Sequence, residues 1–107
     1  MIHAMHTVIE TPLFSKLWPH YWLEEERGAF AAFLAHHPAA GDVIQGTGGL
    51  RKVRWSRAGS GKSGGVRIIY FSYLDDGELV LLTMYSKSEH GSLTAKQLLE
   101  IKNALDL

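Results

Sequence analysis

The chain contains no cysteine, and no apolar run approaches the roughly 20 residues that a transmembrane helix needs. The absence of cysteine excludes disulfide and thiolate chemistry and is typical of a reducing compartment. The N-terminal sequence MIHAMHTVIE has no signal-peptide pattern, so we expect a cytoplasmic protein. A length of 107 residues fits a single domain over residues 1–107.

Acidic residues are missing from one long stretch, because no Asp or Glu occurs between Asp42 and Asp75. The same stretch contains six of the eleven basic residues, namely Arg51, Lys52, Arg54, Arg57, Lys62 and Arg67. The whole chain is neutral, with eleven basic and eleven acidic residues, so positive charge is concentrated in one segment. Such a concentration is typical of a surface that binds a polyanion.

The first third of the chain predicts a short strand and two helices. Thr7–Glu10 is a β-branched run, and Thr11 and Pro12 are typical of an N-cap followed by the first helical position. A second helix is expected to begin near Leu23 and to end at Pro38. Its apolar face is predicted to contain Leu23, Phe30, Phe33, Leu34 and His37.

Three strands and a last helix are predicted after a glycine-rich connection. The strands are Leu50–Arg57, Val66–Tyr73, which is too apolar for a sheet edge, and Glu78–Lys87. A capping box, Thr94–Gln97, predicts the start of the last helix. The order β-α-α-β-β-β-α indicates an α+β domain, with a small antiparallel or mixed sheet covered by helices.

Alternation along the first of these three strands predicts a basic face. Lys52 and Arg54 lie on one side, and Val53 and Trp55 on the other. Arg67 lies in an otherwise apolar strand, where an unpaired cation is costly unless it faces water or a bound anion. A single such cation is usually a solvated surface residue, but three on neighbouring strands favour contacts with phosphate.

Two other motifs are weaker. The loop Ser56–Ser63 approaches the phosphate-binding pattern G-x-x-x-x-G-K-[ST], but it continues into a strand where that motif requires a helix. The six histidines lack the spacing of three or four metal ligands, so we expect neither a metal nor a cofactor. His90 follows the third strand and suits either proton transfer or an ordinary surface loop.

Three segments, GDVIQGTGGLRKVRW, GKSGGVRIIY and LLTMYSKSE, follow one another on consecutive predicted strands. In this order they resemble the RelE/HigB superfamily of toxins from bacterial type II toxin–antitoxin modules, in particular its HigB-like branch. The resemblance runs from about Thr7 to the C-terminus and includes VIETPLF. It implies a RelE-like fold and ribosome-dependent cleavage of mRNA. It also implies neutralisation by an antitoxin, commonly of the helix-turn-helix type. The toxin would then be associated with DNA only indirectly, through this antitoxin.

The resemblance also implies a set of catalytic residues on the concave face of the sheet, namely Lys52, Arg54, Arg67, Lys87 and His90. Lys87 matches a basic residue that ends the third strand, and His90 lies near a position where some relatives have Arg. Lys96 lies near the position of a tyrosine that relatives have on the last helix. The residues expected to bind the RNA are Arg51, Arg57, Lys62 and Tyr85.

The implied reaction needs no metal if the 2′-hydroxyl of the RNA attacks the adjacent phosphate. We assign the base role to Lys52 or Lys87, because a lysine crowded by cations loses its proton more easily. Arg54 and Arg67 are expected to stabilise the phosphate, and His90 to act as the acid. Tyr85 is expected to stack on a base or to position it, although a tyrosine on a strand is often a core residue.

Two alternatives remain. One is a ParE-like toxin that inhibits DNA gyrase by binding, although such an inhibitor does not need a cluster of four cations. The other is a non-catalytic RNA-binding module, against which the zero net charge argues slightly.

Overall fold

The computed structural model describes residues 6–56, 65–73 and 77–107, which form one five-stranded sheet with helices on both faces. The strands are β1 (Thr7–Glu10), β2 (Asp42–Val43), β3 (Arg51–Trp55), β4 (Val66–Tyr73) and β5 (Glu78–Ser86). The helices are α1 (Pro12–Leu17), α2 (Glu24–His36), α3 (Lys87–His90) and α4 (Ala95–Ala104), with a 3₁₀ turn, Trp18–His20, after α1.

The strand order is β1-β5-β4-β3-β2, with β1 parallel to β5 and all other neighbours antiparallel. The predicted α+β class and the central place of β4 are confirmed. The short strand β2 and the one-turn helix α3 were not predicted.

The third predicted strand was one residue too long. It ends at Ser86, and Lys87 begins α3. A hydrogen bond of 2.6 Å between the hydroxyls of Ser86 and Ser88, and another of 2.9 Å from the Gly91 amide to the Lys87 carbonyl, close the chain into a helical turn at this point.

One face of the sheet, called the first face here, packs against α1, the 3₁₀ turn and α2. Its buried cluster includes aromatic rings from these elements and the side chains of β4 and β5 that point the same way: Phe14, Trp22, Phe30, Leu34, Ile68, Tyr70, Leu81 and Met84. The Trp22 ring lies between Phe14 and Phe30, with centroid distances of 6.2 and 5.2 Å. Aromatic packing of this kind anchors the helical layer to the sheet.

The other face, called the second face, packs against α4. Its buried cluster contains Leu50, Ile69, Phe71, Val80, Leu82, Tyr85 and Leu98. Helix α4 begins with the predicted capping box, in which the Thr94 hydroxyl accepts from the Gln97 amide and the Gln97 side chain accepts from the Thr94 amide. The sheet is therefore buried from both sides, and the buried side chains of β4 from Val66 to Phe71 belong to one layer or the other.

The predicted apolar face of α2 was partly wrong. Phe30 and Leu34 are buried, but Leu23 is 69% exposed because it is the N-cap, where the backbone is still extended and the helical period does not apply. His37 is the exposed C-cap residue, and its ring lies 4.9 Å from that of Phe33.

Tyr70 joins the middle of the sheet to the connection after α2. Its hydroxyl donates to the Pro38 carbonyl at 2.8 Å and accepts from the Gly41 amide at 2.9 Å. A Cβ atom at Gly41 would lie 2.8 Å from the Tyr70 ring, so glycine is needed for this approach. Burial raises the pKa of the Tyr70 hydroxyl above its ordinary value.

A β-bulge interrupts the pairing of β4 with β5. Ile69 pairs with Thr83 and Tyr70 with Leu81, which leaves Leu82 as the extra residue. Thr11 stabilises this irregularity, because its hydroxyl donates to the Leu82 carbonyl at 3.0 Å and also caps α1 at the Phe14 amide. The predicted N-cap at Thr11 is confirmed, and it has this second role.

We expect Thr11→Val to lower the free energy of unfolding by about 1–3 kcal/mol, since both the cap and a buried hydrogen bond are lost. Thr7→Val is the matched control, because Thr7 is exposed at the start of β1. Urea denaturation of both variants measures the difference. Equal stability of the two variants would contradict the assigned role of the hydroxyl.

Stability should fall when the pH rises through about 10, the ordinary pKa of tyrosine. The folded state holds the Tyr70 proton more tightly than the unfolded state, so alkaline pH favours unfolding. Tyr70→Phe should be less stable at neutral pH but lose less stability on further alkalinisation. Denaturation curves across this pH range test the sign, and an unchanged alkaline slope in Tyr70→Phe would refute it.

Candidate active site

Three side chains lie side by side across three strands on the second face. Arg54 on β3 is directly opposite Arg67 on β4, which in turn is directly opposite Tyr85 on β5. Directly opposed residues point to the same face, with Cβ atoms about 4.5–5.5 Å apart. Arg54, Arg67 and Tyr85 are called the transverse row below.

Lys52 lies next to this row on the same face. It is two residues before Arg54 on β3 and directly opposite Ile69 on β4. On its other side it is directly opposite Asp42 of β2, an acid that the sequence pattern did not bring to this surface. The predicted grouping of Lys52, Arg54 and Arg67 on one face is therefore present, with one carboxylate at its margin.

Neither arginine of the transverse row has an ion-pair partner among the described residues. Both ion pairs found among the described residues involve Arg27. Arg54 is exposed and Arg67 is half-buried, so both remain open to a ligand. Like charges directly opposite each other on neighbouring strands are unfavourable, and an anion bound between them would relieve the repulsion.

Tyr85 does not offer an open ring. Only 3% of the residue is exposed, and it belongs to the buried cluster under α4. The predicted stacking of Tyr85 on a base does not fit this burial. A position directly opposite Arg67 instead suits packing that holds the Arg67 side chain in place.

Arg51 points to the opposite face from Lys52 and Arg54, because alternation along β3 applies to it as well. Its guanidinium donates to the Gly41 carbonyl at 2.6 Å, beside Tyr70. The predicted contact of Arg51 with RNA therefore does not fit its position, which is structural.

Of the remaining predicted site residues, the structure describes the side chain of one, Lys87. Lys87 is exposed at the first position of α3, two residues after Tyr85. The structure does not describe the side chain of His90, nor Arg57 and Lys62, which the sequence predicts to lie in a loop. Their assignments stay predictions.

The bulge at Leu82 decides that Tyr85 belongs to the row. Leu81 faces the first layer, and strict alternation from there would place Tyr85 in the first layer too. The extra residue shifts the alternation by one, so Met84 faces the first layer and Tyr85 the second. The run of apolar residues from Leu79 to Leu82 gave no sequence signal for this shift.

A second polar contact lies where β5 meets α3. The Tyr21 hydroxyl, just after the 3₁₀ turn, lies near enough to the Glu89 side chain and the Ser86 backbone for both to influence its pKa. Burial, and then the neighbouring Glu89 carboxylate, raise the pKa of Tyr21, and the Ser86 backbone acts in the opposite direction. The hydroxyl therefore stays protonated at neutral pH and can donate to the carboxylate.

Residues 6–56, 65–73 and 77–107 contain no group of three or more His, Asp or Glu side chains placed to hold a metal ion. They also contain no helix with both the length and the apolar character of a membrane span.

The five-stranded mixed sheet, with α1 and α2 on one face and α4 on the other, is a RelE-like fold. It is similar to a solved structure of the E. coli toxin RelE, a mutant in the free state with two arginines replaced by alanine. The TM-score is 0.61 and the sequence identity 12%, and the match covers 94% of this chain and 93% of that chain. No family model matches the sequence. The predicted fold is thereby confirmed, and the HigB-like branch stays a prediction.

Replacing Arg54 by Gln should leave stability unchanged or raise it by up to about 1 kcal/mol at low salt, because repulsion with Arg67 is removed. Added salt should shrink the difference. Arg51→Gln, on the same strand, should instead destabilise by about 1.5–3 kcal/mol through loss of its bond to Gly41. Equal destabilisation by both changes would show that Arg54 is structural. Urea denaturation of both variants at two salt concentrations distinguishes these outcomes.

Proposed function

We propose that this protein is the toxin of a type II toxin–antitoxin module and an endoribonuclease that cleaves mRNA on the ribosome. The observation that carries the proposal is the Arg54–Arg67 pair, aligned across two strands without an ion-pair partner among the described residues. The RelE-like fold supports the same proposal, because the similar solved structure is that of a toxin.

The charge and the geometry of the transverse row are suited to binding a phosphodiester. Arginine remains charged at all relevant pH values, and its planar fork matches two phosphate oxygens at once. Two guanidinium groups on neighbouring strands would hold the scissile phosphate and stabilise the charge that accumulates on it in the transition state. Lys52 lies one step along the same face and would contact the adjacent part of the strand or act as the base.

In the proposed reaction, the 2′-oxygen of the RNA forms a bond to phosphorus as the bond from phosphorus to the 5′-oxygen breaks. Lys52 or Lys87 takes the 2′-proton, and His90 gives a proton to the leaving 5′-oxygen. The products are a 2′,3′-cyclic phosphate and a free 5′-hydroxyl. No water, oxidant or metal takes part in this step.

The charge and burial of the site support dependence on the ribosome. The transverse row provides charge, but its aromatic residue is buried and unavailable to hold a base. The net charge of the chain is zero, which gives little general attraction to free RNA. An mRNA already held in place by the ribosome needs only local contacts with the row, Lys87, Arg57 and Lys62. A cytoplasmic location and a helix-turn-helix antitoxin as partner complete the proposal.

Induced expression in growing bacteria tests it, with Arg67→Ala alongside and 5′ ends mapped on mRNA. The wild type should arrest growth and cut within translated frames, and Arg67→Ala should lower cleavage by about a hundredfold or more. Lys16→Ala, an exposed lysine on α1, is the matched control and should cleave normally.

The other outcomes are equally informative. Growth arrest with intact mRNA would point to a protein target such as gyrase. RNA binding without strand scission would indicate a non-catalytic module, and normal cleavage by a folded Arg67→Ala protein would refute the assigned site.

A further inference from the structure

Gly41 is held by side chains from two strands of the sheet. Its carbonyl accepts a hydrogen bond of 2.6 Å from the Arg51 guanidinium on β3. Its amide donates to the Tyr70 hydroxyl on β4 at 2.9 Å, and that hydroxyl donates in turn to the Pro38 carbonyl at 2.8 Å. Arg51 and Tyr70 are directly opposite each other, and both side chains lie on the first face. Pro38, Gly41, Arg51 and Tyr70 are called the Gly41 node below.

The Gly41 node packs against the backbone of Lys52, whose side chain points to the second face. A Cβ atom at Gly41 would lie 3.0 Å from the Lys52 carbonyl oxygen and 2.8 Å from the Tyr70 ring, so the glycine fits closely between them. The next residue, Asp42, is directly opposite Lys52 in the two-residue strand β2. The position of the Lys52 backbone is therefore set by contacts on the face opposite to its side chain.

Strand β3 has little other support on its outer side. There β2 pairs only with Arg51 and Lys52, and no strand among the described residues pairs with this side of β3 from Val53 to Trp55. Two ladder pairs are a weak attachment by themselves. The node adds three hydrogen bonds through side chains, and the one from the guanidinium is charge-assisted.

We propose that the Gly41 node positions Lys52 for the cleavage of RNA, so that Arg51 and Tyr70 act on the reaction through strand β3 without touching the substrate. This inference rests on the proposed function, because it concerns Lys52 at the same RNA site. The chemical step depends steeply on the placement of its groups, and a shift of about 1 Å can lower a rate about a hundredfold. The node therefore affects the maximal rate more than the binding of mRNA.

Cleavage of an mRNA bound to purified ribosomes tests the proposal. Varying the toxin concentration separates the maximal rate from the half-saturating concentration. Arg51→Gln should lower the maximal rate by about ten- to a hundredfold. It should change the half-saturating concentration by less than about threefold. Tyr70→Phe, which keeps the arginine, should lower the maximal rate by a smaller factor. Arg51→Lys keeps a cation that can donate to the Gly41 carbonyl and should recover part of the rate.

Arg27→Gln is the matched control. It removes another bonded arginine, whose partners Glu10 and Glu24 lie at the other edge of the sheet and in α2. All variants are assayed at a temperature at which denaturation curves show them to be folded. Arg27→Gln should cleave like the wild type even though it also loses hydrogen bonds.

A double-mutant cycle shows whether the effect passes through Lys52. In a Lys52→Met protein, Arg51→Gln should cause no further loss of rate, because the side chain that the node positions is gone. Following the reaction from seconds to hours covers the slow variants.

The inference is overturned if folded Arg51→Gln cleaves as fast as the wild type, or if Arg27→Gln loses as much rate. It is equally overturned if Arg51→Gln lowers the rate by the same factor with and without the Lys52 side chain. In all three cases the wild type still cleaves and the proposed function stands. A wild type that cleaves no mRNA, on purified ribosomes or in cells, refutes the proposed function and this inference with it.

Discussion

The burial of β4 and β5 on both sides is the constraint on which the rest of the structure depends. The buried side chains of β4 join the layer of α1 and α2 or the layer of α4, so Ile68 and Tyr70 face one way and Ile69 and Phe71 the other. Arg67 is the one charged residue in this strand. A buried, unpaired guanidinium would be costly, and it is half-exposed on the second face, next to Arg54.

Two arginines in this protein differ in how their charge is balanced. Arg27 bonds to Glu10 and Glu24, and its guanidinium lies 4.8 Å from the centre of the Trp18 ring. Arg67 faces another arginine instead. An arrangement that is locally unfavourable is typical of a site where a ligand supplies the missing charge.

Much of this architecture follows from local patterns in the sequence. The N-cap at Thr11 and the capping box of α4 depend on a few adjacent residues, and simple alternation places Lys52 and Arg54 on one face. Features that depend on contacts between distant parts of the chain could not be predicted from such patterns. Arg51 was counted with the basic cluster by its charge, although the same alternation assigns it to the other face. Tyr21 and Glu89 are 68 positions apart in the sequence, and only the folded chain brings them near each other.

The bulge at Leu82 also affects how this protein is compared with others. At 12% identity, residues are matched mainly by counting along strands, and a count that starts from β1 or from the beginning of β5 crosses the bulge. If the other protein has no equivalent extra residue, such a count matches Tyr85 to a residue on the opposite side of that protein's sheet. Equivalent positions are therefore better found by counting backward from the start of α3, where Tyr85, Ser86 and Lys87 keep their order regardless of the bulge.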